Sequence, residues 1–256
     1  QLATETGSAE SPALANNVET LAHVAQILAH GPEWFRELGT EASPGTFVAT
    51  VSGDTARAGV GEFPMGVTLQ AVIDDLGGPP KEQHRYVAAV SGTANAMVPA
   101  DRFDTPVTYE DMRTIGSGMG SAGFLVFDER TDLVAVAAGI APFLAVESCG
   151  QCEPCKSDGP TISTHLATIL ANDGSPRTLA ALSSLSKTVS NGARCGLGRQ
   201  QEDVTAGALR LLQTEFREHV EGRRPKVQRV LIAPIADIAG AGVVLDGRYA
   251  VKNRVW

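Results

Sequence analysis

Cys149-Gly-Gln-Cys152-Glu-Pro-Cys155 holds three of the four cysteines in this chain, and the fourth, Cys195, stands forty residues further on. Three thiols within seven residues cannot all pair with one another as relaxed disulfides. They can converge on one metal centre. Thiolates at i, i+3 and i+6 around a tight loop, closed by a remote fourth, suit the corners of a [4Fe–4S] cube. Zinc is the nearest alternative, but structural zinc sites usually use two separated pairs of ligands. Here the division is three plus one, and the closest histidine to the triplet is His165. A disulfide reading would need an oxidising compartment. The opening residues show no apolar signal region, and no run is long enough to span a membrane, so a cytoplasmic location is expected. The bacterial ferredoxin run C-x2-C-x2-C-x3-C-P would put its fourth cysteine at position 159. That position is Gly159. The fourth ligand is therefore expected from Cys195, so that a cluster would link two parts of the fold.

Working outward, 256 residues with 43% apolar content suffice for two compact domains, or for one with appendages. The net charge of −8 and the pI near 5.1 argue against nucleic acid as a partner, because phosphate binding needs clustered Lys and Arg. Aromatic residues, at 5%, are too sparse for a base-stacking surface. The chain opens on Gln1 rather than Met, so it reads as processed, trimmed or a fragment.

Periodicity divides the chain. Residues 1–15 read as a loop. Val18, Leu21, Val24 and Leu28 share one helical face, with Asn16 and Glu19 resembling a capping box. Gly31-Pro32 interrupts this helix, and 33–38 reads as a short second one. From 45 to 128 the pattern is of short strands at 47–51, 60–64, 86–90 and 124–127, with an amphipathic helix over 68–76 stopped by Gly77-Gly78. This order predicts an α+β roll of β-grasp type. From 129 to 222 four helices are expected, around 133–144, 161–171, 179–189 and 204–220, forming a bundle with both cysteine segments in its loops. Residues 227–232 and 242–245 in the extension 223–256 read as strands able to pair as a hairpin or to add to a partner's sheet edge.

Several segments carry a family resemblance: Asn16-Asn-Val-Glu-Thr-Leu21, Gly31-Pro-Glu-Trp-Phe-Arg36, Gly45-Thr46 ahead of Val51-Ser-Gly53, Gly116-Ser-Gly118, and above all Glu147-Ser-Cys-Gly-Gln-Cys-Glu-Pro-Cys155. Together they resemble the flavin subunit of NADH dehydrogenases, the 51-kDa-type subunit of respiratory complex I, and the related diaphorase subunits of NAD-linked hydrogenases and formate dehydrogenases. The resemblance runs from about 12 to 220. It implies an FMN- and NADH-binding region ending near 44, a soluble-ligand-binding β-grasp domain over 45–128, and a four-helix domain over 129–222. In that last domain Cys149, Cys152, Cys155 and Cys195 would hold a [4Fe–4S] cluster that takes electrons from reduced FMN. It further implies that Asn16, Asn17 and Thr20 border the flavin. The partners implied are the FMN/NADH domain, in the same chain or separate, and other iron–sulfur subunits of a redox complex, with no direct membrane insertion. The complex could lie on the cytoplasmic side of a membrane.

The departures from this pattern matter too. The family's glycine-rich nucleotide segments are expected upstream of position 1. Gly116-Ser-Gly118 and Gly196-Leu-Gly198 do not open a strand–helix dinucleotide unit. One-electron relay, with no catalytic side chain and no NADH oxidation by this chain alone, is the resulting expectation. The rival class is a non-enzymatic, zinc-stabilised adaptor. Lys156 and Arg194 flank the cysteines and could offset the thiolates' negative charge, while Glu147 reads as a solvated loop carboxylate ahead of a tuner of the cluster's potential. Asp54, Asp74, Asp75 and Asp101 form no paired-acid site, and the five histidines are dispersed.

Overall fold

The computed structural model describes residues 15–81, 84–92, 94–232, 235–239 and 242–254. The segment 1–14, expected to be a loop, lies outside them. The chain divides into two units, one of residues up to Thr46 with Pro64–Gly66, the other of Phe47–Phe63 with the rest of the chain from Val67.

The first unit contains α1 (Val18–His30) and α2 (Pro32–Arg36). The cap of α1 is Asn17, one residue later than the sequence suggests: its side chain accepts the Glu19 N–H at 2.9 Å. Asn16 instead accepts the Asn17 N–H at 2.8 Å. Gly31 at φ +90° joins the two helices, and Pro32 starts the second with φ preset and no orphan donor. The Phe35 ring packs on Gly45, where any Cβ would come within 2.1 Å of it. The expected apolar stripe exists, but Val18, Leu21, Val24 and Leu28 are 81%, 47%, 44% and 83% exposed, so no described residue covers it fully.

In the second unit a five-stranded sheet comes first. Its strands are β1 (Thr46–Gly53), β2 (Gly59–Pro64), β3 (Tyr86–Ser91), β4 (Val98–Pro99) and β5 (Gly123–Asp128), in the order β2-β1-β5-β3-β4. β5 pairs parallel with β1, Val51 opposite Phe124, and antiparallel with β3, Ala89 opposite Val126. Along β1, Phe47, Ala49 and Val51 are buried while Val48 and Thr50 face out, the period-2 pattern of a half-covered sheet. The helix α3 (Leu69–Leu76) is capped by Thr68 and buries Leu69, Val72, Ile73 and Leu76. A short helix, α4 (Tyr109–Thr114), has no counterpart among the elements expected from the sequence.

Among the described residues five helices follow: α5 (Leu133–Glu147), α6 (Glu153–Leu170), α7 (Pro176–Thr188), α8 (Leu197–Leu211) and α9 (Gln213–Val220). Asp132 caps α5 by accepting the Val134 and Ala135 N–H groups. Residues 134–141 are all buried, so α5 is apolar around its circumference and serves as the central element. Ile140, Leu144, Ile162, Leu166, Ile169, Leu182, Val204 and Phe216 pack in one cluster. Val90, Met97 and Phe127 from the strand region belong to the same cluster, so sheet and helices share a core.

Three local expectations change. The helix expected over 204–220 begins earlier, at 197, and breaks at Leu212, whose backbone turns to φ −109°, ψ 35°. The helix expected from 161 begins at Glu153, which places Cys155 in a helical turn rather than a loop. In the extension, β6 (Ile235–Ala239) pairs with β7 (Gly242–Leu245), and 227–232 is not a strand of that hairpin. Instead the Val230 N–H donates to the Ala135 carbonyl of α5 at 3.1 Å. Gly139 permits this approach, since a Cβ there would lie 1.8 Å from the Val230 carbonyl oxygen.

Candidate metal centre

The cysteine triplet sits between the end of α5 and the start of α6. Ser148 is extended (φ −61°, ψ 134°) and stops α5. Gly150 at φ +71° then turns the loop back, a conformation costly for any residue with a Cβ. Its N–H donates to the Ser148 hydroxyl at 3.2 Å. Cys152 occupies the cap position of α6, and Pro154 fits the first turn, where no intrahelical donor is needed. The Lys156 N–H closes that turn onto the Cys152 carbonyl at 2.9 Å.

The fourth cysteine arrives from the other side. After α7 the chain turns through Gly192 at φ +64°, and Cys195-Gly196 leads directly into α8. Gly198 packs tightly here, a Cβ at that position falling 3.0 Å from the Val189 carbonyl oxygen. Two contacts tie this segment to α6 and its loop. Thr188 donates to Asp158 at 2.6 Å, and Arg194 donates to the Gln151 side-chain oxygen at 3.3 Å.

Cys149, Cys152, Cys155 and Cys195 thereby line one cavity of about 120 Å³, together with Glu147, Ser148 and Leu197. Cys149 and Cys195 are exposed, Cys152 and Cys155 half-buried, and all four are free thiols. Ser148 is buried, and its hydroxyl lies 3.3 Å from the Cys155 sulfur. The N-terminal ends of α6 and α8 both lie at this cavity, and helix N-termini favour negative charge and thiolates. Among the described residues, no three Cys, His, Asp or Glu side chains close on a single-ion position. Four thiols from two segments on one cavity are the donor set that a [4Fe–4S] cluster would take.

Two features beside this cavity are not foreseen from the sequence. Ser148 is one. The other is the C-terminal extension, which reaches Glu147: Tyr249 donates to the Glu147 carboxylate at 2.6 Å, and Lys252 donates to the same oxygen. The Lys252 ammonium, followed by the Tyr249 hydroxyl, holds the Glu147 carboxyl below the usual carboxylate range. No local sequence signal connects positions a hundred residues apart. Asn16, Asn17 and Thr20, by contrast, lie exposed at the N-terminal end of α1 in the first unit.

His219 is fully buried, and its role is structural. Its Nε2 meets Asp132 at 2.9 Å and its Nδ1 meets Asn172 at 3.2 Å. Arg224 completes the group, donating to Asp132 at 3.3 Å and to Glu218 at 2.9 Å. The network joins the start of α5 to the end of α9 and the beginning of the extension.

Comparison with known proteins matches residues 135–219 to a family described as the NADH-ubiquinone oxidoreductase-F iron-sulfur binding region. An NADH-quinone oxidoreductase subunit of Rhizobium meliloti (strain 1021) is 34% identical over 215 residues, covering 84% of this chain and 51% of that protein. The NADP-reducing hydrogenase subunit HndC of Solidesulfovibrio fructosivorans is 32% identical over 221 residues, covering 86% of this chain and 45% of that protein. The chain thus spans about half the length of the curated relatives it matches. Among solved structures, an NAD+-reducing [NiFe]-hydrogenase in the H2-reduced state superposes with a TM-score of 0.74 at 30% identity, over 85% of this chain and 37% of the hydrogenase chain. The shared fold is mixed α/β. No helix of the described residues is long and apolar enough to cross a membrane.

Proposed function

We propose that the chain is part of a 51-kDa-type subunit of the NADH-quinone oxidoreductases, as its iron–sulfur-region match over 135–219 and its relatives support, that Cys149, Cys152, Cys155 and Cys195 are the ligands of its [4Fe–4S] cluster, and that this part of the protein relays electrons from FMN to a partner redox subunit. The observation that carries the ligand assignment is the convergence of four free thiols, from two segments forty residues apart, on one cavity. When bound, the cluster supplies a one-electron site.

The chain's own residues do the rest. Gly150 and Gly192 bend the two cysteine segments, and the Arg194–Gln151 contact holds them to one another. The Ser148 hydroxyl can donate to the Cys155 sulfur; hydrogen bonds to ligand sulfurs are among the determinants of cluster potential. Two helix N-termini offset negative charge at the site. The cavity opens to solvent at Cys149 and Cys195, the side from which an electron could pass to a partner. In the finer architectural reading, 45–128 is a β-grasp module and 129–222 a four-helix module, its fourth helix broken at Leu212 into α8 and α9, followed by the extension 223–256. Residues 1–44 would be the end of the FMN/NADH-binding region with its connecting helices. Asn16 and Thr20 would face the flavin, with Asn17 serving also as helix cap. Cytoplasmic localisation, next to other iron–sulfur subunits, completes the proposal.

The test is electron entry. The 256-residue polypeptide, purified anaerobically, should bleach on dithionite reduction and remain unreduced by NADH, since a one-electron centre does not accept hydride and FMN is the converter. Reduction of the cluster by NADH without added flavin domain would refute the assignment of these residues to the relay alone.

A further inference from the structure

The extension lies beyond residues 135–219 of the iron–sulfur region. Its described residues nevertheless touch α5 at both ends of the helix. Arg224 pairs with Asp132 at the first residue before α5, and Val230 bonds to Ala135 one turn in. Tyr249 stacks on Phe143, ring centroids 5.7 Å apart, near the last turn. Tyr249 and Lys252 then bond Glu147, the last residue of α5, which itself lines the cysteine cavity. Lys252 also donates to the Tyr249 hydroxyl at 2.8 Å and sits 4.3 Å from the centroid of its ring. The three side chains thus form a closed knot at the shoulder of the cluster loop, one residue from Ser148 and two from Cys149. A segment serving only as a stabilising strap needs no more than the apolar surface of α5. This one also places a cation on the carboxylate in the cavity lining.

We propose that the C-terminal segment 224–252 is a strap that tunes the redox centre, with Lys252 as the positioning residue that neutralises Glu147 and thereby sets the reduction potential of the cluster. The inference rests on the cluster reading of the four cysteines. Its physical basis is the sign of local charge. A thiolate-ligated cluster gains an electron less readily beside an unpaired carboxylate and more readily beside an unpaired ammonium, and both groups are only one-third exposed, so water screens them incompletely.

The experiment is a potentiometric titration followed by EPR on the full chain, comparing the parent with Lys252→Met, Glu147→Gln and the double variant. Lys252→Met should shift the midpoint downward by leaving Glu147 uncompensated. Glu147→Gln should shift it upward by leaving Lys252 uncompensated. The double variant should return close to the parent. If Lys252→Met loads no cluster, the upward shift of Glu147→Gln decides. Coincident potentials in all loaded proteins, or shifts of one sign in both single variants, would overturn the strap proposal while leaving the cluster reading intact. Absence of any iron–sulfur signal in the parent would overturn both.

Discussion

Gly139→Ala tests the packing of the extension with a single methyl group. Two effects oppose each other. Alanine improves the intrinsic helix propensity of α5 by about 1 kcal/mol over glycine. Its Cβ, however, would lie 1.8 Å from the Val230 carbonyl oxygen and 2.8 Å from the carbonyl carbon. Restoring ordinary contact near 3.4 Å requires the extension to retreat by about 1.6 Å, the difference between the two oxygen distances. Overpacking of this kind costs about 1–3 kcal/mol. The retreat also strains or breaks the 3.1 Å bond from Val230 to Ala135, worth about 1 kcal/mol. The balance is a net loss of about 1–3 kcal/mol, the helix gain being cancelled by the lost hydrogen bond. Hydrogen exchange should show the Val230 amide losing protection, with faster exchange spreading over 227–232, while the amides of α6 and α7 change little. The melting temperature should fall. A variant as stable as the parent or more so, with Val230 still protected, would refute the close approach of the extension to α5.

Other perturbations reach the core, the ion pairs and the cluster. Ile162→Ala, at a fully buried position in the helical core, should cost about 2–5 kcal/mol, read as a lowered urea midpoint with an unchanged slope. Asp128 is buried and held below its ordinary pKa of 3.8, chiefly by hydrogen bonding from the Arg130 side chain. Its stabilisation is therefore fully present above about pH 4 and lost as the pH falls through the lower folded-state value. Asp128→Asn should accordingly reduce the melting temperature at pH 7 and flatten its decline in acid. Chelating the metal should raise hydrogen exchange at 149–155 and 190–200 and across the helices more than in β1–β5, because ligand bonds between distant segments are folding energy for the region they join; equal loss in both regions would count against separate modules on a shared core. Cys195→Ala should leave a three-iron form or none, so an unchanged content of about four irons with an unchanged EPR spectrum would remove Cys195 from the ligand set.

Most elements were legible where one periodicity dominated. Phe47, Ala49 and Val51 alternate cleanly, and β1 lies where they place it. Leu69, Val72, Ile73 and Leu76 repeat at helical spacing, and α3 buries all four. The cysteine spacing alone points to a common site for four positions, and the fold brings them to one cavity. What remained hidden depended on tertiary contact or on cap geometry. Cys155 reads as loop because Gly and Pro crowd the triplet, yet Pro154 is well placed in the first turn of a helix. The break at Leu212 carries no glycine or proline to mark it. Residues 227–232 have a strand's composition, but their partner is the side of α5 exposed by Gly139, a contact encoded ninety residues earlier. The Lys252–Glu147 pair is of the same kind, since neither residue is distinctive in its own neighbourhood. The stripe on α1 was read correctly as apolar, but periodicity gives no information on what covers it.

Metal and sulfide analysis of the anaerobically purified chain, with EPR of the reduced protein, decides whether these four cysteines hold a [4Fe–4S] cluster. A cluster on these thiolates gives about four irons and about four acid-labile sulfides per chain, a broad brown absorbance, and an EPR signal that appears on reduction and disappears when the cysteines are replaced. A colourless protein with about one zinc per chain and no labile sulfide would contradict it.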